Sequence, residues 1–275
     1  MKIPASATIL TRNSAATLER CLVSVQDFAD IVVLDGNSTD GTPDIARQFG
    51  ARVIPQTDSK EPAVRITNFT EVREKSFRET TYDWVYMIDS DEWASPEQIE
   101  AVRTLVAANR VREVYLFRKL AVVDDKVVRY AYFYPDYSLR MLAKSGGAHW
   151  RSGRLVHEKI IIPDGVTRVR RNEVVFSAWP PFAQSVEKDA GYLAMAIAPY
   201  QKEGVSRLRC LRVAVLNTLK AVYILARIAA VHLRYGFRDT MPLRQHLRFP
   251  RYHWTYARML VRRALTIRSP YAPAR

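Results

Sequence analysis

Short apolar runs alternate with helical patterns along the first part of the chain. Apolar, β-branched runs at Thr8–Leu10, Ile31–Leu34 and Arg52–Pro55 predict three strands. The helix predicted between the first two carries one apolar face, made of Leu18, Cys21, Leu22 and Val25. A second helix is predicted to start at Thr42 and to stop at Gly50. Because the strands lack polar alternation, the β-α-β-α-β pattern predicts a parallel sheet covered by helices.

A fourth strand ends in a cluster of acidic residues. The run Tyr82–Ile88 is aromatic and β-branched, and the carboxylates of Asp89, Asp91 and Glu92 follow it directly. Beyond them, Ser95–Gln98 has the residues of a helix N-terminus, with Pro96 in the first helical position. The acidic cluster is therefore predicted to lie in a strand-to-helix turn, at the sheet edge where α/β proteins bind ligands.

The second half of the chain predicts a mixed sheet and then helices. A strand at Glu113–Arg118 and a hairpin at Val122–Val128 follow the helix predicted over residues 96–109. From Arg209 to Arg234 the chain is apolar and free of Gly and Pro, as expected of a long helix. The predicted fold is α/β, a mixed sheet flanked by helices, with a basic helical extension at residues 201–275 after a domain at residues 1–200.

The net charge of +14 is concentrated near the C-terminus. Residues 207–275 contain 15 Lys and Arg but one acid, Asp239, so residues 1–206 sum to zero. The two cysteines, Cys21 and Cys210, form no C-x-x-C pair, which argues against a disulfide scaffold or a zinc site and suits a reducing cytosol. The N-terminus lacks the apolar core and cleavage site of a signal peptide and is predicted to be the first strand.

Three interpretations fit the basic extension. Its apolar face could pack on the preceding domain and leave a row of basic residues in water. It could instead lie on an anionic membrane, with aromatic residues at the headgroup level, and this interpretation is favoured slightly. Nucleic acid is the third partner, but no nucleic-acid-binding motif occurs. The charges within Arg209–Arg234 argue against a membrane-spanning helix.

The acidic cluster has the residues expected of a metal site whose bound ion coordinates a diphosphate. Neighbouring carboxylates repel one another and need a cation, and hard oxygen ligands suit Mg²⁺ or Mn²⁺ together with substrate phosphates. Without other context, a solvated acidic turn would explain the same residues. Asp35 ends the second strand as the ribose-binding acid of a dinucleotide fold does, yet neither a G-x-G-x-x-G motif nor a P-loop is present.

Three motifs occur in the order typical of one enzyme family. Thr11–Asn13, Val33–Thr42 and Asp89–Glu92 resemble the signature of family 2 glycosyltransferases with the GT-A fold. The resemblance covers roughly residues 5 to 165, and within the family it is strongest to bacterial enzymes of the lipopolysaccharide core. It implies a nucleotide-sugar donor, most simply a UDP-sugar, and a divalent metal.

The resemblance also implies roles for individual residues. Those expected around the nucleotide sugar are Thr11, Asn13, Asp35, Arg65, Asn68 and Asp89. Asp91 would hold the metal, and His157 would be a further metal or phosphate ligand, orient Glu158, or be purely structural. Asp40 is expected to cap a turn. Arg140 would face phosphate or be ion-paired.

Sugar transfer with inversion needs a base that takes the proton of the acceptor hydroxyl. Asp136, in a Pro-Asp element, and Glu158, in a His-Glu element, are the two candidates. Two departures from the family lie on the acceptor side. No His follows the strand at Val174–Trp179, and Gly236–Thr240 replaces a Gly-Phe-Leu-Asp-Gly element.

The sequence thus predicts an inverting glycosyltransferase that moves a glucose-like sugar to a lipopolysaccharide-core or other cell-envelope saccharide. It is expected on the cytoplasmic face of the plasma membrane as a peripheral protein. One alternative is transfer to a polyprenyl phosphate, an ionised acceptor that needs no base. Another is a non-catalytic adaptor for a membrane or nucleic acid on an inactive GT-A fold.

Overall fold

The computed structural model describes residues 1–64, 66, 68–150, 160–202 and 205–266. The chain divides into two compact units. Unit 1 comprises Met1–Leu120 and Pro135–Ala178, and unit 2 comprises Ala121–Tyr134 and Trp179–Arg275. The division after residue 178 precedes the predicted domain boundary at residue 200, which stays a prediction.

Strands and helices alternate through unit 1, and helices dominate unit 2. In chain order the elements are β1 (Ile3–Thr11), α1 (Ala15–Val25), β2 (Phe28–Asp35), α2 (Thr42–Gln48), β3 (Arg52–Pro55), α3 (Phe69–Arg78), β4 (Trp84–Asp89), β5 (Glu92–Ala94), α4 (Pro96–Ala108), β6 (Glu113–Val123), β7 (Lys126–Val127), β8 (Asp136–Ala143), β9 (His149–Trp150), β10 (Ile160–Ile161), β11 (Thr167–Ala178), α5 (Phe182–Gln201), α6 (Arg207–Tyr235) and α7 (Leu243–Thr266).

The sheet of unit 1 is mixed, as the sequence predicts. Its strands run in the order β3-β2-β1-β4-β8-β6-β11-β5, and β7 pairs with the last residues of β6. The four strands β3, β2, β1 and β4 are parallel, whereas β8 is antiparallel to both β4 and β6. The parallel strands β1 to β4 therefore correspond to the predicted β-α-β pattern. The antiparallel strands come from the later part of the chain, where the sequence predicts a hairpin and a mixed sheet.

Helices cover both faces of the parallel strands. The predicted apolar face of α1 is buried in the main core, which also contains Val33, Tyr86 and Ile88 of β2 and β4. The alternate strand residues Val32 and Leu34 pack with Val72 of α3 on the other face. Since successive side chains of a strand point to opposite faces, strands covered on both sides must be apolar at every position.

Helix ends follow their local sequence. Ser95 caps α4 by accepting a hydrogen bond from the backbone N–H of Gln98 at 3.2 Å, with Pro96 at the first helical position. Helix α2 begins at Thr42, as predicted. Helix α3 was not predicted, although Asn68 followed by Glu71 is a helix-start signal, and Asn68 does cap it.

Unit 2 contains the two long basic helices. Ala214 of α6 packs with Ala257 and Leu260 of α7 in a small core. Asp124 and Asp125 both adopt positive φ in the turn between β6 and β7, as a two-residue hairpin requires.

Helix α6 is long and apolar enough to cross a membrane, judged by length and composition alone. Its most apolar 18-residue stretch has at most two charged residues, and 22% of that stretch is buried. The charges therefore do not by themselves exclude a spanning helix, contrary to the argument made from the sequence.

Candidate functional site

The ends of three parallel strands meet at one edge of the sheet, as their polar residues predict. Thr11 of β1 lies opposite Asp35 of β2, and Leu10 lies opposite Asp89 of β4. This register is a consequence of parallel pairing, which aligns carboxyl ends. Residues distant in sequence are thereby brought to one place.

Asp35 is held in a fixed orientation. Its carboxylate accepts hydrogen bonds from the Thr11 hydroxyl at 2.9 Å and from the Ser38 hydroxyl and backbone N–H at 2.6 and 2.8 Å. Both Thr11 and Asp35 are buried. The predicted contact of these two residues with the nucleoside stays a prediction, and the geometry supplies a pre-organised acceptor for it.

Asn13 ties the first strand-to-helix loop to the second. With φ at 49°, it accepts a hydrogen bond from the Thr39 N–H at 2.9 Å, and its own N–H donates to the Ser38 hydroxyl at 2.8 Å. Asp40 accepts from the backbone N–H of Ala15 and of Thr42, which confirms that it caps turns.

Gln56 is a buried residue of this edge that sequence reasoning missed. Its side-chain amide donates to the carbonyls of Thr11 at 2.9 Å and Leu34 at 3.0 Å. A Cβ added to Gly36 would lie 3.0 Å from the Gln56 side-chain oxygen, so the glycine allows this close approach. The available signal was the position of Gln56 directly after β3.

The three carboxylates of the acidic cluster have different surroundings. Asp89 accepts from the guanidinium of Arg73 at 2.9 Å and lies 3.6 Å from that of Arg140. Although burial alone would raise it, the pKa of Asp89 is held well below its usual range by Arg140 and Arg73. Its side chain still exposes 41% of its surface, so it is both charged and accessible.

Glu92 is the buried centre of an ion network. It accepts from Arg140 at 2.5 Å, from the Lys119 ammonium at 2.8 Å and from the backbone N–H of Asp89 at 3.2 Å. Arg140 lies at a shift in the register between β6 and β8, which leaves it between two paired residues. Of the two predicted roles for Arg140, the structure shows the ion pair.

Asp91 differs from its neighbours because its side chain is exposed and has no ion-pair partner among the described residues. Protein atoms nevertheless surround the carboxylate closely, and this desolvation, with the charges of Asp89 and Glu92, raises the pKa of Asp91 to about 6. A hard cation bound by Asp91 would offset that repulsion. An exposed carboxylate at a strand end, without an ion-pair partner in the described part of the chain, therefore fits the divalent metal that the sequence predicts.

Asp136, one candidate base, lies directly opposite Lys119 in the pairing of β8 with β6. Directly opposed residues point to the same face of a sheet, so Asp136 shares a face with Lys119, whose ammonium binds Glu92. Asp136 is half-buried. It thus belongs to the neighbourhood of the carboxylate network, and its role as base stays a prediction.

Several predicted residues are placed differently or not placed. Arg65, His157 and Glu158 lie outside the described residues. Asn68 caps α3 by accepting a 3.4 Å hydrogen bond from the Glu71 N–H, and its predicted contact with the nucleotide stays a prediction. Within the described ranges, no three His, Cys, Asp or Glu residues form a metal cluster. Mg²⁺ commonly uses one or two carboxylates with substrate phosphates.

Arg73 and Lys119 are the cations that sequence reasoning missed. Arg73 lies on the unpredicted helix α3, and Lys119 lies on β6, where basic residues are usually solvated. No local pattern distinguishes either from a surface charge. Their partners identify them only after the chain has folded.

Comparison with known proteins identifies the family of this chain. The profile described as "Glycosyl transferase family 2" matches residues 6–156, more than half of the chain. The chain belongs to this family. The mixed sheet with helices on both faces is the GT-A α/β fold that the sequence predicts.

Curated relatives bear similar names. An uncharacterized glycosyltransferase of Rickettsia bellii is 35% identical over 134 residues, which cover 47% of this chain and 42% of that protein. LpsC of Rhizobium meliloti, a lipopolysaccharide core biosynthesis glycosyltransferase, is 27% identical over 169 residues, or 60% of this chain and 59% of LpsC. The chain thus spans less than two thirds of either relative. The similarity to LpsC confirms the expected resemblance to enzymes of the lipopolysaccharide core.

Two solved structures are among those that show partial similarity to this chain. TarS residues 1–349 of S. aureus, in complex with UDP, is 14% identical with a TM-score of 0.48, over 95% of this chain and 90% of that one. Glucosyl-3-phosphoglycerate synthase from Mycobacterium tuberculosis, in complex with Mn²⁺, UDP and glucosyl-3-phosphoglycerate, is 25% identical with a TM-score of 0.34. The matched region covers 42% of this chain and 43% of the synthase chain.

Proposed function

We propose that the protein transfers a glucose-like sugar, with inversion, from a UDP-sugar to a lipopolysaccharide-core or other cell-envelope saccharide. The main observation in support is that the three carboxylates at the end of β4 have different surroundings. Asp89 and Glu92 are ion-paired, whereas Asp91 is exposed and has no ion-pair partner among the described residues. Family membership and the similarity to LpsC support this reaction class and this kind of acceptor.

The donor would bind along the edge formed by β1, β2 and β4. Asp35, fixed by Thr11 and Ser38, would accept a hydrogen bond from the uracil or ribose. Asn13 holds the neighbouring loop in place. Asp89, fixed by Arg73, would face the ribose and the metal, with Arg65 and Asn68 toward the diphosphate. Fixed partners lower the entropic cost of binding in this geometry.

A divalent metal, Mg²⁺ or Mn²⁺, would be held by Asp91 together with His157 and the diphosphate. When bound, such an ion supplies positive charge beside the departing diphosphate. Asp89 contributes negative charge next to this site, and Arg73 and Arg140 keep it ionised. Glu92 anchors the turn that carries Asp91 by accepting from the backbone N–H of Asp89.

The acceptor would be activated by Asp136 or Glu158. A base must lie on the face of the sugar opposite the diphosphate, because inversion requires attack from that side. Asp136 is half-buried at the start of β8, on the sheet face of Lys119.

We expect UDP to bind the purified chain in the presence of Mn²⁺ and to bind about tenfold or more weakly in EDTA. Isothermal titration calorimetry measures both affinities. UMP, which lacks the second phosphate, is the matched control and should show little dependence on metal. Binding of GDP in place of UDP would change only the proposed nucleobase of the donor, from uracil to guanine. If no nucleoside diphosphate bound in either condition, the catalytic proposal would be rejected in favour of a non-catalytic adaptor.

The base can be assigned with Asp136→Asn and Glu158→Gln. We expect one of them to lower kcat about 10²- to 10⁴-fold while leaving the affinity for UDP unchanged, because a base acts on the acceptor and not on the donor. Steady-state transfer to a lipopolysaccharide-core acceptor gives kcat, and calorimetry gives the affinity. Asp164→Asn, which changes an exposed carboxylate of unit 1, is the control. Full activity of both variants would point instead to an ionised acceptor, such as a polyprenyl phosphate.

A further inference from the structure

The helices of unit 2 pack side by side, with α7 in contact with both α5 and α6. A groove of about 300 Å³ between α5 and α7 is lined by Val186 and Leu193 of α5 and by Leu247 and Arg251 of α7. A second groove of about 280 Å³ is lined by Thr218 of α6 and by α7, including the arginines 258 and 262. The exposed side of α7 is therefore a ridge between two grooves.

This ridge combines apolar side chains with arginines at regular spacing. Positions separated alternately by four and three residues lie on one helix face, and here they are Leu247, Arg251, Trp254, Arg258, Val261 and Leu265. All six are exposed, and the Trp254 side chain exposes 51% of its surface. A continuous exposed surface with this many apolar side chains, bordered by charged residues, is typical of a site that contacts a partner or a membrane.

The neighbouring helix α6 extends the apolar surface. Val215 and Val222 lie one turn before and one turn after Thr218, which lines the second groove, and Leu219 follows the same row. These three side chains are 55–61% exposed. Exposed Lys220 and Arg227 lie seven residues apart along the side of this apolar row. The apolar surface is therefore bordered by basic residues on α6 as well as on α7.

The charge of this surface identifies its partner. Helices α6 and α7 contain no Asp or Glu in their sequences, so a second copy would bring an equally basic face against this one. An anionic bilayer offers the opposite charge together with an apolar interior. Tryptophan and arginine suit the boundary between the two, because each has an apolar body and a polar end.

We propose that the outer face of α6 and α7 docks the protein on an anionic phospholipid bilayer. Trp254, Val261 and Leu219 reach the boundary between headgroups and acyl chains. Arg258 and Arg262 bind lipid phosphates. This inference does not depend on the proposed sugar transfer, because docking requires neither donor nor acceptor.

Sedimentation with vesicles tests the proposal. The protein should bind vesicles of phosphatidylcholine with about 30% phosphatidylglycerol, and raising the salt concentration should weaken binding. We expect Arg258→Glu with Arg262→Glu to lower the partition coefficient about 25-fold or more, since one basic residue contributes roughly fivefold. Trp254→Glu should lower it about tenfold. These exposed positions are not expected to affect folding, and circular dichroism checks this.

Matched controls come from unit 1. Val23→Glu changes a side chain that is 48% exposed, and Arg47→Glu changes an exposed arginine; neither should alter binding. Equal binding of the wild type and the double arginine variant would overturn the proposal. A concentration-dependent dimer, detected by light scattering without lipid and lost in Trp254→Glu, would also overturn it, because a second copy would then cover this surface. Recovery of the protein from cell membranes by detergent, but not by salt and alkali, would overturn it too, because the protein would then be embedded in the membrane.

Discussion

Asp91→Asn is expected to lower kcat/KM for sugar transfer about 10³-fold or more, equivalent to ~4 kcal/mol of transition-state stabilisation. The substitution keeps the shape of the side chain and removes the charge that would hold the metal. UDP affinity in Mn²⁺ should fall to its value in EDTA. The measurements are steady-state kinetics with a UDP-sugar and calorimetry with UDP.

Thermal stability separates this effect from unfolding. Burial and the charges of Asp89 and Glu92 raise the pKa of Asp91 to about 6, so keeping this carboxylate ionised at neutral pH lowers the stability of the folded protein. Removing the charge should leave the melting temperature equal or slightly higher, as is common where function requires an unfavourable charge. A lower melting temperature together with the lost activity would contradict this. Asp44→Asn, at a carboxylate that is 76% exposed, is the control for activity.

Glu92→Gln is expected to destabilise the protein by about 3 kcal/mol or more, because it leaves buried cations without their counter-charge. Glu92 is fully buried and binds Arg140 and Lys119, whose side chains are 6% and 26% exposed. A neutral amide cannot replace both charge-assisted hydrogen bonds. The melting temperature of the protein should drop by roughly 6–12 °C, measured by differential scanning calorimetry.

Glu100→Gln is the matched control for this loss of stability. Glu100 also pairs with an arginine, Arg103, but its side chain is 72% exposed. An exposed pair contributes about 0–1 kcal/mol, so the melting temperature should change by little. Equal effects of the two substitutions, or none in Glu92→Gln, would show that the buried network is not required for stability.

Local patterns were sufficient for most strands and helices of unit 1. The buried face of α1, the Ser95-Pro96 start of α4 and the Asp124-Asp125 turn all depend on residues close in sequence. Helix α3 was missed because its apolar positions are few, although its Asn68 cap could have indicated it. The short strand β5 was missed because three residues carry too little periodicity to be distinguished from a turn.

For the basic helices, too, the sequence predicted some features and only the structure showed others. Composition and charge identify an amphipathic, cationic segment, and α6 matches its predicted extent closely. Which apolar residues stay exposed depends on how α7 packs between α5 and α6. The exposure of Trp254 and Leu219 therefore became visible only in the structure.

The sequence by itself determined the family, the alternation of strands and helices along unit 1, and the placement of the acidic cluster at a sheet edge. Those properties follow from patterns and motifs of neighbouring residues. Only the tertiary structure decided that Glu92 is a buried anchor, that Asp89 is paired and that Asp91 is exposed, although all three lie within four positions. Arg140, for example, is 48 residues from Glu92 in sequence. Charge pairing depends on distance through space, which a spacing along the chain does not specify.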